Sequence, residues 1–275
     1  MKDLLYSEDN DFYIDGLKIS GVSSIRGSYS IPNEENNFLG YTGPIGLAQN
    51  APGKASFSVS RAMITSDEPI TSLIADTGFN GGVVYNGKEL GFNSGYLSSY
   101  SISFNVGSVP KTSISVEVFG DMGPGISPSS SSPKQSSSLV PSSSGISVDC
   151  DGRSTNRVSN FSYGIEIERM PMYKIGSIFP SEIMTILPIK NNFSIRLEVD
   201  DYETKNVYDY IKTGIHNKNF DIKVRDFCDQ SKYTLYKISG AHLVSEGFSA
   251  DNDNNTTVDL TYVSYINGSP GIEYS

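Results

Sequence analysis

Tryptophan is absent from the 275 residues, and cysteine and histidine occur only twice each. Cys150 and Cys228 stand 78 residues apart. They make neither a disulfide framework nor a CxxC redox or zinc motif, and they read as two unpaired thiols. Charge is also scarce, at 19% of residues, and what there is leans negative: 21 Lys and Arg against 31 Asp and Glu, net -10. A reader of duplex DNA needs concentrated positive charge to neutralise phosphates, so that class is excluded. A helical bundle is excluded as well. No apolar run approaches the roughly 20 residues of a membrane span. The amino terminus turns acidic at once and has no apolar core, so no Sec signal peptide is expected there. These absences lead us to expect a soluble protein made in a cytosol.

Serine is what the chain has in excess, 44 residues, beside 17 Tyr, 13 Phe and 26 Gly. Eleven of those serines fall within residues 126–145, ISPSSSSPKQSSSLVPSSSG, with three prolines. That stretch has almost no side chain to bury, so it reads as a linker or projecting loop. Three regions follow: a first domain over residues 1–125, a Ser/Pro-rich linker or exposed loop over 126–150, and a second domain over 151–275. The acidity is shared between the halves. Residues 1–125 hold 7 basic and 13 acidic residues, and the remainder holds 14 and 18.

The two domains read as copies of one another. At an offset of 136, Val22 falls on Val158, Gly40 on Gly176, Pro44 on Pro180, Pro52 on Pro188, Lys54 on Lys190 and Phe57 on Phe193. The glycines and prolines carry most weight, because they set turns and hence the path of the chain. TSISVEVF from Thr112 then falls on TTVDLTYV from Thr256 at an offset of 144. Alternation predicts strands in ASFSVSRAMI and NFSIRLEVDD, in GGVVYN and NFDIKVRDF, in YLSSYSISFNV and TLYKISGAHLVSEGFSA, and in TSISVEVFG and TTVDLTYVSYI. Short helices are expected over DEPITSLIAD, residues 67–76, and ETKNVYDYIKTG, stopping near Gly214. Each unit is therefore mainly β with one short helix.

Nothing in the sequence marks catalysis, and no catalytic, cofactor-binding or metal residue is assigned. His216 and His242 have no partner at HExxH or HxH spacing and read as surface or interface imidazoles. The Gly-rich stretch 78–91 lacks GxxxxGK[ST] and GxGxxG, and Asn86-Gly87 is what a tight hairpin turn demands. DNDNNTT, residues 251–257, lacks the Gly and the closing Glu of a calcium loop and reads as an acidic hairpin loop. An enzyme is not expected, and no cofactor is assigned.

The order of strands, short helix, hairpin and a final alternating pair around SYSISFNVGSVPKTSISVEVFG resembles the tail-tube fold of long-tailed bacteriophages, shared with the inner tube of contractile injection systems. The resemblance spans about residues 20–120 and 155–268. It is one of pattern, without a diagnostic motif. It implies two tandem tube-like β-sandwich or β-barrel domains, each flanked by a short helix, in a chain whose copies form stacked pseudo-hexameric rings of three. The partners it implies are the chain itself, other tail proteins such as tape measure, terminator, baseplate or sheath, and double-stranded DNA passing through the lumen. The location it implies is the virion. Residues 33–53 and 168–188 would be the stacking loops, and the Ser-rich insert departs from a minimal tube. Alternation nominates Glu117, Asp259 and the Ser and Thr around them as candidates for the lumen wall, an ordinary solvated strand face being the other reading. The other expectations are a further tail component of the same fold (terminator, hub or distal protein) and a β-sandwich adhesin or glycan-binding module.

Overall fold

Aromatic and β-branched residues at every second position make this chain run as strands, because alternate side chains leave a pleated ribbon on opposite faces. The computed structural model describes residues 10–19, 21–36, 40, 42–43, 46–49, 53–63, 77–85, 87–128, 141–214, 216–226, 231–251, 254–266 and 271–274. The first half comprises β1 (Asn10–Ile14), β2 (Leu17–Ile19), β3 (Val22–Ser30), β4 (Asn33–Asn36), β5 (Gly46–Gln49), β6 (Lys54–Ala62), β7 (Phe79–Tyr85), β8 (Lys88–Asn105), β9 (Lys111–Val118) and β10 (Met122–Gly123). The second comprises β11 (Pro141–Cys150), β12 (Arg153–Thr155), β13 (Val158–Glu166), β14 (Arg169–Met172), β15 (Glu182–Thr185), β16 (Ile189–Glu198), helix α1 (Tyr202–Lys212), β17 (Lys218–Asp226), β18 (Tyr233–Asp251), β19 (Asn254–Ile266) and β20 (Gly271–Tyr274). The fold is mainly β, with an extensive antiparallel sheet and, among the described residues, a single short helix. The helix expected over residues 67–76 lies outside the described residues.

The two halves share one pairing scheme. In the first, the chain of partners runs β2-β1-β7-β8-β9-β6-β3, with β10 also on β8. In the second it runs β12-β11-β17-β18-β19-β16-β13, with β20 also on β18. The irregularities recur as well. The register of β3 on β6 slips between Val22 and Ser24, and that of β13 on β16 between Val158 and Asn160, an offset of 136. Asp15-Gly16 and Asp151-Gly152 both adopt the positive φ that a tight hairpin turn requires. β-Bulges are built features that aim a strand, so their repetition is stronger testimony to duplication than residue identities are.

Two sequence expectations need correction. The bulge of β8 on β9 lies between Leu97 and Ser99, and that of β18 on β19 between Leu243 and Ser245. The offset there is 146, so Thr112 corresponds to Val258 and not to Thr256. The error of two kept every residue on its face, which is why alternation did not reveal it. The segment 126–150 is not all linker either: residues 141–150 form β11, the counterpart of β1, paired with β17. Serines at 142, 143, 144 and 147 disguised a strand, whose partner is supplied from some 75 residues further along the chain.

β8 is long enough to serve two sets of strands. Gly95 pairs with Phe79 of β7 on one edge and Val118 of β9 on the other. Beyond it, the edge vacated by β7 takes β13 of the second half, from Asn160 opposite Asn105 to Glu166 opposite Ser99. The result is one continuous run of strands, β3-β6-β9-β8-β13-β16-β19-β18. The core lies beneath it. Phe57 stacks on Phe92 at 5.0 Å, and its counterpart Phe193 meets Phe220 at 5.2 Å and Tyr262 at 4.8 Å. At the seam between halves Phe104 meets Phe161, and Tyr163 meets both Tyr100 and Tyr236.

The helix arises where expected. The Asp201 carboxylate accepts from the Thr204 amide at 2.7 Å, capping the amino terminus, and Val207 and Ile211 enter the core. It ends at Thr213, one residue before the expected Gly214.

Truncating Phe161 to Ala removes a fully buried ring from the seam. Unfolding in urea should show a loss of about 3–5 kcal/mol, and an unchanged midpoint would refute the seam's role in joining the halves. Asp201 is held below its ordinary carboxylate range, chiefly by the backbone N–H of Thr204. Its contribution is present above the unfolded value and is lost as pH falls through the lower folded value. Asp201→Ala should therefore lower the melting temperature at pH 7, and the gap from the parent should close as the medium becomes acidic enough to protonate Asp201.

Candidate functional site

The outward face of the continuous sheet is paved with hydroxyls. Because directly paired residues share a face, the registers define rows that cross it. One row runs Ser24, Ser60, Ser113, Ser101, Gly164 and Asn192. Another runs Lys111, Ser103, Ser162, Ser194, Thr261 and Ser245. Neighbouring hydroxyls bond across strands, Ser28 to Ser56 at 2.9 Å and Ser162 to Ser194 at 2.7 Å. The serine excess outside the insert thus has a place. It forms a hydrated, largely uncharged surface across both halves.

Glu117 and Asp259 both lie on this face. They differ in what surrounds them. Asp259 accepts two hydrogen bonds from Arg196, at 2.7 and 3.0 Å, so its charge is matched locally. The same face also carries Arg26, Lys54, Lys111 and Lys190, against Glu166 and Glu198. The net acidity of the chain is therefore not concentrated here. Such a face offers polyanions neither a cluster of cations to hold them nor a wall of carboxylates to repel them.

Two edges flank this face. β3 pairs only with β6 among the described strands, and its outer edge is exposed at Ser23, Ser24 and residues 26–30. β18 has β17 on one edge as far as Ala241, and from His242 onward it pairs, among the described strands, only with β19. Its counterpart stretch of β8 is covered by β13. The consequence is read in Phe248, 67% exposed, against its counterpart Ile102 at 2%. Unsatisfied strand edges are templates for further pairing.

A third feature is a pair of hairpins, β4-β5 and β14-β15, at equivalent positions within the two expected stacking loops. Their turns hold Gly40 and Gly176, both at positive φ. Pro44 and Pro52 lie outside the described residues. The second hairpin bears Met170, Met172, Tyr173, Ile175, Ile178 and Phe179 on its surface, an exposed apolar patch of the kind that marks a contact surface.

The chemistry-bearing residues fall into place as follows. His216 and His242, 26 residues apart, meet with Nδ1 atoms 3.0 Å apart. Sequence reasoning missed the pair, since the hairpin geometry and not a spacing motif brings them together. Among the described residues no group of three or more His, Cys, Asp or Glu side chains is placed to hold a metal ion. Within the acidic stretch Asp251 of β18 pairs with Asn254 of β19, and residues 252–253 lie outside the described residues. Tyr85 of β7 pairs with Lys88 of β8, and Gly87 between them adopts a positive φ. Gly82 is needed there because a Cβ would sit 2.3 Å from the Leu90 carbonyl oxygen, so close backbone approach accounts for the Gly-rich stretch. Glu246 is held below its ordinary range first by Lys212 and then by Tyr208, which both bond to it from α1. No described helix is long and apolar enough to cross a membrane.

Cys150 closes β11 in the core, and burial pushes its thiol up to about 12. Its thiolate fraction at neutral pH is negligible, and reaction with alkylating agents requires the thiolate. Mass spectrometry after iodoacetamide treatment should find Cys150 unmodified in the native protein and modified in urea. Rapid native labelling would contradict its placement. Comparison of the chain with known protein families matches none of them, and comparison with curated proteins gives no match.

Proposed function

We propose that the protein is a non-enzymatic structural subunit of a phage tail tube. Each half would be a small tube-like β-sandwich, so three chains make a pseudo-hexameric ring, and rings stack into a channel for DNA. The observation that carries this reading is the joint between β8 and β13. It is heterologous, joining one edge of the first half to a different edge of the second, and it leaves the complementary edges β3 and β18 at the two ends of the run. A heterologous joint repeated with a constant rotation generates a ring when it closes.

Dimensions favour the reading. Eight strands per chain at a spacing of about 4.8 Å give three copies a circumference of roughly 115 Å and a bore of roughly 37 Å between opposing backbones, widened further by strand tilt. That bore admits a duplex. The hydroxyl-paved face would line it, and its matched charges would let DNA slide without being gripped. The apolar hairpin β14-β15 would serve the contact between stacked rings or with other tail proteins, and the virion is where such a subunit works.

Negative-stain microscopy and native mass spectrometry of the purified chain test this. The expected result is rings of three chains with pseudo-sixfold outline and an open centre, some of them stacked. A chain that stays monomeric at the highest attainable concentration overturns the proposal.

A further inference from the structure

The pairing within one chain carries a template for pairing between chains. We propose that the outer edge of β3 receives residues 245–251 of β18 from a second copy, and that the opposed pair Gly27 and Phe248 determines the specificity of this joint. The inference rests on the self-assembling reading above and names the contact that would perform it.

The register follows by transposition. β13 corresponds to β3 at an offset of 136, and β8 to β18 at an offset of 146, each fixed by a shared bulge. Within the chain, Phe161 lies opposite Phe104, Tyr163 opposite Ile102 and Ile165 opposite Tyr100. Carried to the outer edges, that register sets Ile25 opposite Ala250, Gly27 opposite Phe248 and Tyr29 opposite Glu246.

Side-chain size supports the match. The internal joint has its aromatic ring on the β13 side, Tyr163 facing Ile102. The outer joint has the ring on the β18 side, Phe248 facing Gly27. The space for that ring is already present. A groove of about 480 Å³ runs along β3, lined by Ile25, Gly27, Tyr29, Phe57, Val83 and Leu90 among others. Three aromatic positions of the second half are vacated around it: Phe161 becomes Ile25, Tyr163 becomes Gly27 and Tyr236 becomes Leu90. A Cβ on Gly27 would come within 2.9 Å of the Phe57 ring, so glycine leaves that ring bare as the groove's floor. Phe248 projects from the stretch of β18 that, among the described strands, has β19 on one edge and nothing on the other, and its ring is exposed.

The occupant is a second copy for a topological reason. β3 and β18 stand at opposite ends of the run β3-β6-β9-β8-β13-β16-β19-β18. The two edges that match do not pair with each other in one molecule, so each is left to be met by another copy. Main-chain bonds would supply affinity, and the ring in its groove would supply register and identity.

Paired cysteines test the register directly. Ser28→Cys with Gly247→Cys, on the hydrated face in a Cys228→Ser background, become directly opposed across the proposed joint. Mild oxidation should give disulfide-linked dimers and closed trimers on a non-reducing gel. The off-register pair Ser24→Cys with Ser245→Cys should give none. Phe248→Asp should weaken association at least about thirtyfold, as loss of a central aromatic contact does. Its circular dichroism and melting should remain those of the parent, because Phe248 is exposed in the single chain. Rings that form without the 28–247 cross-link, or that persist in Phe248→Asp, overturn this joint and leave the tube reading standing. A parent chain that never associates overturns both.

Discussion

The constraint on which the rest of this structure depends is that the backbone of a strand has two edges and both must be satisfied. β8 meets it in two ways along its length, with β7 beside residues 88–95 and β13 beside residues 99–105 on the same edge. Had β7 run the full length of β8, the first half would have been closed and the second would have had no place to join. Because β7 reaches only to Phe79, opposite Gly95, an open edge is left beyond it, and the second half fills that edge with β13. The continuous sheet, its hydroxyl-paved face and the two unmatched ends all follow from that single vacancy.

The side chains explain why the joint is firm inside the chain. A backbone ladder alone contributes little net stability, since water competes for the same groups. Phe104, Phe161, Tyr100, Tyr163 and Tyr236 gather beneath the β8-β13 seam, drawn from both halves. The hydroxyls of Tyr100 and Tyr236 approach within 3.5 Å, giving two buried phenols a polar neighbour. Burial raises the pKa of Tyr100 and Tyr163, so both stay neutral across the physiological range. At the β3 edge the same positions are Ile25, Gly27 and Leu90, and the corresponding space is a groove. The duplication has thus kept the backbone path while allowing one copy to fill its seam and the other to leave it open.

Serine plays two different physical parts. Along the paved face it is a small hydrated residue that bonds to its cross-strand neighbour and leaves the surface nearly neutral. In β11 its backbone simply extends β17, and the strand is specified by Ile146, Val148 and Cys150, all buried. Composition alone could not separate these uses, and the reading of residues 126–150 as one linker failed at β11 for that reason. Arg196 and Asp259 give a parallel case. Alternation sets Asp259 on the same face as Thr261, but its local neutralisation depends on a partner 63 residues away and one strand across.

What the amino-acid sequence determined by itself was whatever repeats at short range or by constant offset. The period-two alternation named the strands, the helical spacing of Val207, Tyr208 and Ile211 named the helix, and the offset of 136 marked two halves that share one pairing scheme. These signals are local, because they come from the geometry of a single strand or turn. Tertiary structure decided which edges meet. It placed β13 on β8, brought His216 to His242, turned part of an apparent linker into β11, and left β3 and the end of β18 with a partner on one edge only among the described residues. Edge pairing is made by backbone groups common to every residue, so the sequence carries no letter for it; only the packed rings beneath a seam, or their absence, distinguish one edge from another.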